Sequence, residues 1–439
     1  MRTSPHSPPA SAGPANGQPG NGHSLGSAVM EPAGSTGSRL RGKRAAMVMF
    51  SQYPADPRPR RAAETLRNEG MSVDLICLAD AKAPNHEQLD GIDVRRLSIE
   101  HRRGGKLAYA YQYLAFILSA SAILAVRSLR RRYDLVYVHN MPDVLVVSAL
   151  IPKLRGAKVL LDLHDPMPEL MTTIYNLNPE ARSVRIIKRL EKWSLARAHL
   201  VLTVNAACKK IFGSRSCPAE KVGVVMNSPD GEIFRFRTPR SYGASNSAAK
   251  KPFVVMYHGS LVERNGLDLA VAALAHAKKQ VPAAELRIYG SRNAFLDRVL
   301  DEARQQGLDG AVRYLGPKRL EDLVPEIEQC DVGVVPNHRN AFTEINTPTR
   351  IFEYLALGKP VIAPRTPGIL EYFNDGSLFF FEPGDSQGLA RQIEHVSRHY
   401  GEAVDTAERG QQVYLEHTWQ QERQTLVNLV SGLLTANNR

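Results

Sequence analysis

Short apolar runs alternate with helix-forming stretches from residue 45 onward, and the alternation restarts at residue 253. No other feature of the chain restricts its fold as much. In the first half the runs are 46–50, 73–78, 92–97, 134–138, 158–163, 200–204 and 222–226. In the second half they are 253–257, 285–291, 312–316, 331–336 and 361–364. Each is of strand length, and most are separated by a stretch long enough for a crossover helix. Parallel strands need such crossovers, and right-handed strand–helix–strand units build a parallel sheet. The pattern therefore predicts an α/β chain with two Rossmann-like domains. Ligands of such sheets bind outside the carboxyl ends of the strands, so the residues just past each run are where chemistry is expected.

The chain has 439 residues, 43% of them hydrophobic, enough apolar material for two cores. Residues 1–43 are a Pro/Gly/Ser/Ala tail that cannot bury enough apolar surface to fold, and no secretory signal is read there. The expected domains are 44–237 and 252–415, joined by a polar linker over 238–251. An amphipathic helix within 416–439 is expected to cross back to the first domain. Four cysteines, Cys77, Cys208, Cys217 and Cys330, show no C-x-x-C spacing. That points to a reducing, cytoplasmic compartment and away from a cysteine metal site.

The charge is lopsided. Residues 41–240 carry 33 Lys and Arg against 19 Asp and Glu, whereas residues 241–439 carry 21 against 24. A basic first half faces something anionic. Aromatics do not interleave with the basic residues in any nucleic-acid motif, so a membrane surface ranks above nucleic acid. The most apolar run, 107–126, has the length of a transmembrane helix. Basic clusters flank both of its ends, so charge gives no orientation. A span here would also put strands of one sheet on opposite sides of a bilayer. The expectation is a sheet-covering helix whose outer face and basic collar, within 101–132, meet an anionic membrane. A buried helix without a membrane role is the plainer alternative.

Candidate site residues follow from strand ends. The 51–61 loop after the first run offers Arg58, Arg60 and Arg61 to phosphate, although exposed arginines are common. His139 and His164 each lie just past a parallel strand, where an imidazole can donate or accept near neutral pH, and Asp165 is placed to hold the His164 tautomer. The stretch 347–360 is a short helix with marked ends. Thr347 can cap it, Pro348 suits its first position, Gly358 can stop it and Pro360 bars continuation. Ile351, Tyr354 and Leu355 share an apolar face. Glu353 is then either a solvated carboxylate or one held rigidly to accept two hydroxyl hydrogens.

The second half resembles the nucleotide-sugar-dependent glycosyltransferases of family 4. The resemblance is carried by Tyr257-His258-Gly259-Ser260-Leu261 with Arg264 and Gly266, by Tyr289-Gly290, by Tyr314-Leu315-Gly316, and above all by the run from Phe352 to Ile362. The first half is similar to bacterial acceptor domains through the residues from Tyr53 to Arg58 and through Leu163-His164-Asp165. The resemblance implies a GT-B fold, with two Rossmann-like parallel-sheet domains facing a cleft. It implies retaining hexosyl transfer without a divalent metal or other cofactor, and the sequence contains no D-x-D. Glu353 would bind the donor ribose, Gly259, Gly290 and Gly316 would let the nucleotide approach the backbone, Arg264 would neutralise the diphosphate, and Thr347 would open the helix facing it. His164 would lie over the sugar.

Three positions depart from the family pattern. Asn265 stands where many members have Lys, and Ser260 where many have Arg. The position of a frequent second glutamate is Ile345, with Glu344 beside it. Glu344 is retained as a catalytic candidate with His164 and Arg264. Arg58, Arg60 and His139 are the acceptor or phosphate candidates. The reading is a glycosyltransferase of cell-surface polysaccharide assembly with a lipid-linked acceptor, peripheral to the inner membrane face and without nucleic acid. A nucleotide-sugar epimerase of the same architecture and a non-catalytic nucleotide-sugar or nucleic-acid binder stay open at this point.

Overall fold

The structure is a computed structural model that describes residues 40–99, 106–240 and 251–436. Expectations for residues 1–39, most of the linker, the start of the 101–132 stretch and the last residues of the 416–439 stretch lie outside the described residues.

The first sheet has eight strands: β1 (Arg44–Gln52), β2 (Ser72–Leu78), β3 (His86–Leu89), β4 (Ile92–Leu97), β5 (Leu135–His139), β6 (Lys158–Leu163), β7 (Leu200–Thr203) and β8 (Val222–Val224). Their order is β3-β4-β2-β1-β5-β6-β7-β8. All neighbours are parallel except β3, which runs antiparallel to β4. The second sheet has six parallel strands: β9 (Phe253–His258), β10 (Ala284–Tyr289), β11 (Val312–Tyr314), β12 (Val332–Val334), β13 (Val361–Pro364) and β14 (Phe379–Phe381), ordered β11-β10-β9-β12-β13-β14.

The apolar runs are continuous because both sheet faces are covered. In β1, alternate residues serve opposite cores. Ala46 and Val48 join one cluster, and Ala45, Met47 and Met49 the other. The strand order reverses between β1 and β5 in the first sheet and between β9 and β12 in the second. These switch points open the crevices where the site is found.

Two boundaries are corrected. The fold begins before residue 44, because Leu40 is buried in the first core and the Gly42 N–H donates to the Gly70 carbonyl. The 51–61 segment is not all loop. A helix, Pro57–Asn68, starts with Pro at its first position, so the three arginines stand in its opening turns.

The Lys106–Arg130 helix is apolar and long enough to cross a membrane by length and composition. Phe116, Ile117, Ala120 and Leu124 nevertheless sit in the first core, and the strands on either side of the helix, β4 and β5, belong to one sheet. Its outer face is open, with Tyr111 72% and Leu118 61% exposed. The segment running from Asp143–Ala149 into the Leu150–Leu154 helix packs beside it, and the Arg182–Arg197 helix packs on that same segment. The last helix, Trp419–Thr435, lies on the first domain. Leu426 and Val430 enter its core, Arg423 pairs with Glu69 at 2.8 Å, and Glu422 accepts the Met226 N–H at 2.7 Å.

Candidate active site

Two cavities meet between the domains. One, of about 660 Å³, is lined by the carboxyl ends of β9 and β10 and by the start of the Thr349–Ala356 helix. The other, of about 320 Å³, brings Arg61, His164 and Asn227 of the first domain against Thr349 and Glu353 of the second. Glu353 lines both. The helix owes its fixed position to its apolar face. Ile351, Tyr354 and Leu355 are buried, and the Tyr354 hydroxyl donates to the Met256 carbonyl at 2.7 Å. Burial pushes the Glu353 carboxyl up to about 7, against the pull of Arg350 and Arg61. His258 Nε2 lies 3.4 Å from Glu353 Oε2, yet burial and the nearby Arg350 push His258 down to about 3. The pair is therefore no ion pair at neutral pH, and Glu353 has spare acceptor capacity directed at the cavities.

The three glycines stand at successive strand ends. The Gly259 N–H donates to Tyr289 O at 3.0 Å and the Gly290 N–H to Gly316 O at 3.1 Å, which ties the three strand ends together through backbone. A Cβ at Gly290 would come within 2.4 Å of Gly259 O, so only glycine permits this approach.

The cations differ from expectation. Arg264 lines the larger cavity above the Phe342 ring, and no carboxylate among the described residues pairs with it. Asn265, at the position where lysine is common, folds back to donate to Ser260 O at 2.8 Å. Arg350 supplies a second cation. It stacks over Tyr257, with the guanidinium carbon 4.7 Å from the ring centre, and donates to the His258 carbonyl at 3.1 Å. Its signal in the sequence was its place in the first turn, three residues before Glu353 and hence on the same side of the helix. Lys318 also lines the cavity but is held by Glu326 at 2.6 Å.

In the first domain Arg58 borders the smaller cavity, but its nitrogens are committed to protein partners. Its Nε and Nη2 grip Asp162, and its Nη1 donates to the Val225 carbonyl and to Asn227. Arg60 lies 3.8 Å from Glu64. Arg61 also reaches the cleft, bonded to Ser228 O and 5.2 Å from the centre of the Trp419 ring. His139 is also corrected: it is buried, stacks on Tyr137, and bonds through Nδ1 to His164 Nε2 at 3.0 Å. His164 borders the smaller cavity. Asp165 does not hold the His164 ring. Its backbone carbonyl accepts from Asn140, and burial raises its carboxyl against the pull of His164 and Arg264.

His139, Asp162 and His164 bring three potential metal ligands within 4.8 Å of one another. Arg58 and the Tyr137 hydroxyl already occupy Asp162, whose carboxyl Arg58 and the histidines hold below its usual range against burial. The cluster is thus a hydrogen-bonded chain around an existing cation, a poor setting for a second one.

Two residues of the 340–347 loop take structural places. Thr347 does not cap the helix. Its hydroxyl donates to Gly368 O at 2.8 Å and accepts from Asn205 of the first domain at 3.2 Å. Glu344 Oε1 lies 3.0 Å from Arg339 Nε, and its carboxylate does not border the larger cavity. Asn205 also donates to Ile345 O, and Thr173 to Asn340, so this loop bridges the domains.

Residues 55–228 match the glycosyl transferase 4-like domain family, and residues 252–399 match glycosyl transferases group 1. A D-inositol 3-phosphate glycosyltransferase of Corynebacterium urealyticum is 24% identical over 394 residues, which covers 86% of this chain and 90% of the relative. Among solved structures, sucrose-phosphate synthase of Thermosynechococcus elongatus superposes with a TM-score of 0.71 at 18% identity, covering 90% of this chain and all of that one. Anabaena HepE, solved with UDP-glucose, gives 0.62 at 18%, covering 89% of this chain and 99% of its own. With its two halves matching these two families and its two parallel sheets arranged as in GT-B enzymes, the chain belongs to the family 4 type of glycosyltransferases.

Proposed function

We propose that the protein takes a hexosyl group from a nucleotide-sugar bound in the Glu353 cavity and passes it, with retention and without a divalent metal, to a lipid-linked acceptor at an anionic membrane surface. The observation that carries this reading is the position of Glu353, rigid, spare in acceptors and shared by both cavities. A single carboxylate there can take both hydroxyls of a ribose. Arg264 and Arg350 then flank the place of the diphosphate and neutralise the charge that grows as it leaves. In this mechanism the acceptor hydroxyl attacks the anomeric carbon from the face of the leaving group. The carbon–phosphate oxygen bond breaks with its electron pair on the phosphate, and the hydroxyl proton passes to a phosphate oxygen.

The membrane part of the reading rests on the row of helices on one face of the first domain. Tyr111, Leu114 and Leu118, then Leu150, Ile151 and Leu154, then Ile186, Leu190 and Trp193 are exposed apolar side chains along it. Exposed Arg130, Arg131, Arg132, Arg155, Arg182, Arg185, Arg189 and Lys192 surround them. An apolar strip in a basic collar suits an anionic bilayer interface, and would place the protein at the cytoplasmic face of the membrane.

A thermal-shift panel of UDP-, GDP- and ADP-sugars tests the donor half. A bound donor at one hundred times its Kd adds about 2.7 kcal/mol of stability. UDP-sugars come first, because HepE was solved with UDP-glucose. Stabilisation by one nucleotide class that disappears in Glu353→Ala is the expected result. No stabilisation by any member of the panel would sink the reading.

A further inference from the structure

The geometry points to His139 as a positioning residue that, backed by Asp162 and Arg58, fixes His164 as a neutral Nδ1–H donor rather than a base. That His164 meets a substrate rests on the reading above, whereas its tautomer does not.

His139 Nδ1 and His164 Nε2 lie 3.0 Å apart, so one carries the hydrogen between them. Suppose it is His164. The His139 hydrogen then sits on Nε2, which is buried with no partner among the described residues. The bare Nδ1 lone pair would also face the Asp162 carboxylate 3.5 Å away. A buried N–H without an acceptor is rare, and a lone pair against a carboxylate is repelled. Suppose instead that His139 carries the hydrogen on Nδ1. It then donates to His164 Nε2 with the Asp162 charge beside it, and only an acceptor is left unpaired. The second arrangement is favoured on both counts.

Asp162 can play this part because its own position and charge are fixed. Arg58 grips both of its oxygens, at 2.7 to 3.1 Å, and the Tyr137 hydroxyl donates to it at 2.9 Å. Tyr137 also stacks on the His139 ring at 4.5 Å, which holds the imidazole in plane. Asn140 Oδ1 accepts the His164 backbone N–H at 2.8 Å and steadies the other end of the chain. Burial lowers both histidines, so the proton shared between them belongs to neutral rings. With Nε2 occupied, the His164 hydrogen is on Nδ1. That atom has no hydrogen-bond partner among the described residues and is not among the enclosed polar atoms, and the ring borders the cavity shared with Glu353. A ring so arranged offers a hydrogen to a substrate oxygen and has no free basic nitrogen. The acceptor's proton must then go elsewhere, which agrees with its transfer to the leaving phosphate.

Histidine tautomers are read from long-range 1H–15N correlations of the full chain labelled with 15N-histidine, with His164 assigned by the signal lost in His164→Gln. The wild-type protein at pH 7.5, without any ligand, should show His164 neutral and protonated on Nδ1. In His139→Phe, which removes the donor, the His164 hydrogen should move largely to Nε2. In His139→Gln, whose amide can donate to Nε2, the Nδ1–H form should return. Once a donor is known, turnover in His139→Phe should fall roughly 10- to 100-fold with little change in KM, and recover in His139→Gln. An Nε2–H signal for His164 in the wild type overturns the proposal, and so does an unchanged Nδ1–H signal in His139→Phe. If His139→Phe fails to fold, the wild-type spectrum still decides. Loss of the glycosyltransferase reading would appear separately, as absent donor stabilisation beside an intact tautomer.

Discussion

Glu353 Oε2 stands 3.4 Å from His258 Nε2, and the two groups do not neutralise each other, because burial keeps the histidine uncharged. Glu353 thus carries a folding penalty of its own. Its carboxyl is raised from 4.5 to about 7, so the folded state holds a proton that the unfolded state has released between those values. Below about 4.5 both states are protonated and no penalty exists. As pH rises to 7 the penalty grows, to about 3 kcal/mol from the size of the shift. Glu353→Gln should therefore match wild type in urea unfolding at pH 4.5 and exceed it at pH 8. Donor affinity should strengthen over the same interval in wild type, because the ionised carboxylate accepts hydroxyls best. A pH-independent stability difference would show that the charge is not buried as described.

Arg350 is the second prediction. If it shares the diphosphate with Arg264, Arg350→Ala should weaken UDP binding by roughly 10- to 100-fold, the usual worth of a lost charge-assisted hydrogen bond. Arg350→Lys should recover only part of this, because the stacking on Tyr257 and the bond to His258 O depend on the planar guanidinium. Calorimetric titration with UDP measures both. Equal affinity of wild type and Arg350→Ala would remove Arg350 from the site.

The helix that carries both residues was legible in the sequence because local and global signals agreed there: an apolar face, a stop glycine and a following strand. The parallel strands were legible for the same reason. Two strands were not. His86-Glu87-Gln88-Leu89 has no apolar pattern and is a strand only because β4 offers an edge, while Phe379–Phe381 is too short to register without its neighbour β13. The site residues divide similarly. Glu353 and the glycines follow from backbone position. Arg58 and His139 were placed at the correct strand ends, but their partners, Asp162 and His164, come from other strands. Sequence position told where these side chains begin and not which way they turn.

The membrane reading makes a third prediction. Wild-type protein should co-sediment with vesicles containing anionic lipid and be released by salt, since the collar charges are exposed. Leu118→Glu and Leu154→Glu put charge into the apolar strip at exposed positions, where each should cost little stability. The pair should abolish vesicle binding while leaving UDP binding untouched. Binding that ignores lipid charge, or that survives both substitutions, would exclude this face.

Gly266 joins the cation loop to the loop after β12. It starts the Leu267–Ala277 helix in the left-handed region, φ +69°, and a Cβ there would lie 1.9 Å from Pro336 O. The neighbouring His338 N–H donates to Arg264 O at 3.0 Å, so a shift of Pro336 moves the backbone of Arg264 as well. Gly307 provides the control, since it has φ +72° and nothing lies within 4 Å of the place a Cβ would take. Gly307→Ala should cost only the backbone strain, about 1–2 kcal/mol. Gly266→Ala should cost more, about 3–4 kcal/mol, because the neighbour is rigid backbone. It should also weaken UDP binding, which Gly307→Ala leaves alone. Urea unfolding and UDP titration of the two variants measure the difference. Equal losses of stability would mean that the Pro336 loop yields freely, and Arg264 would then owe its position to something other than this glycine.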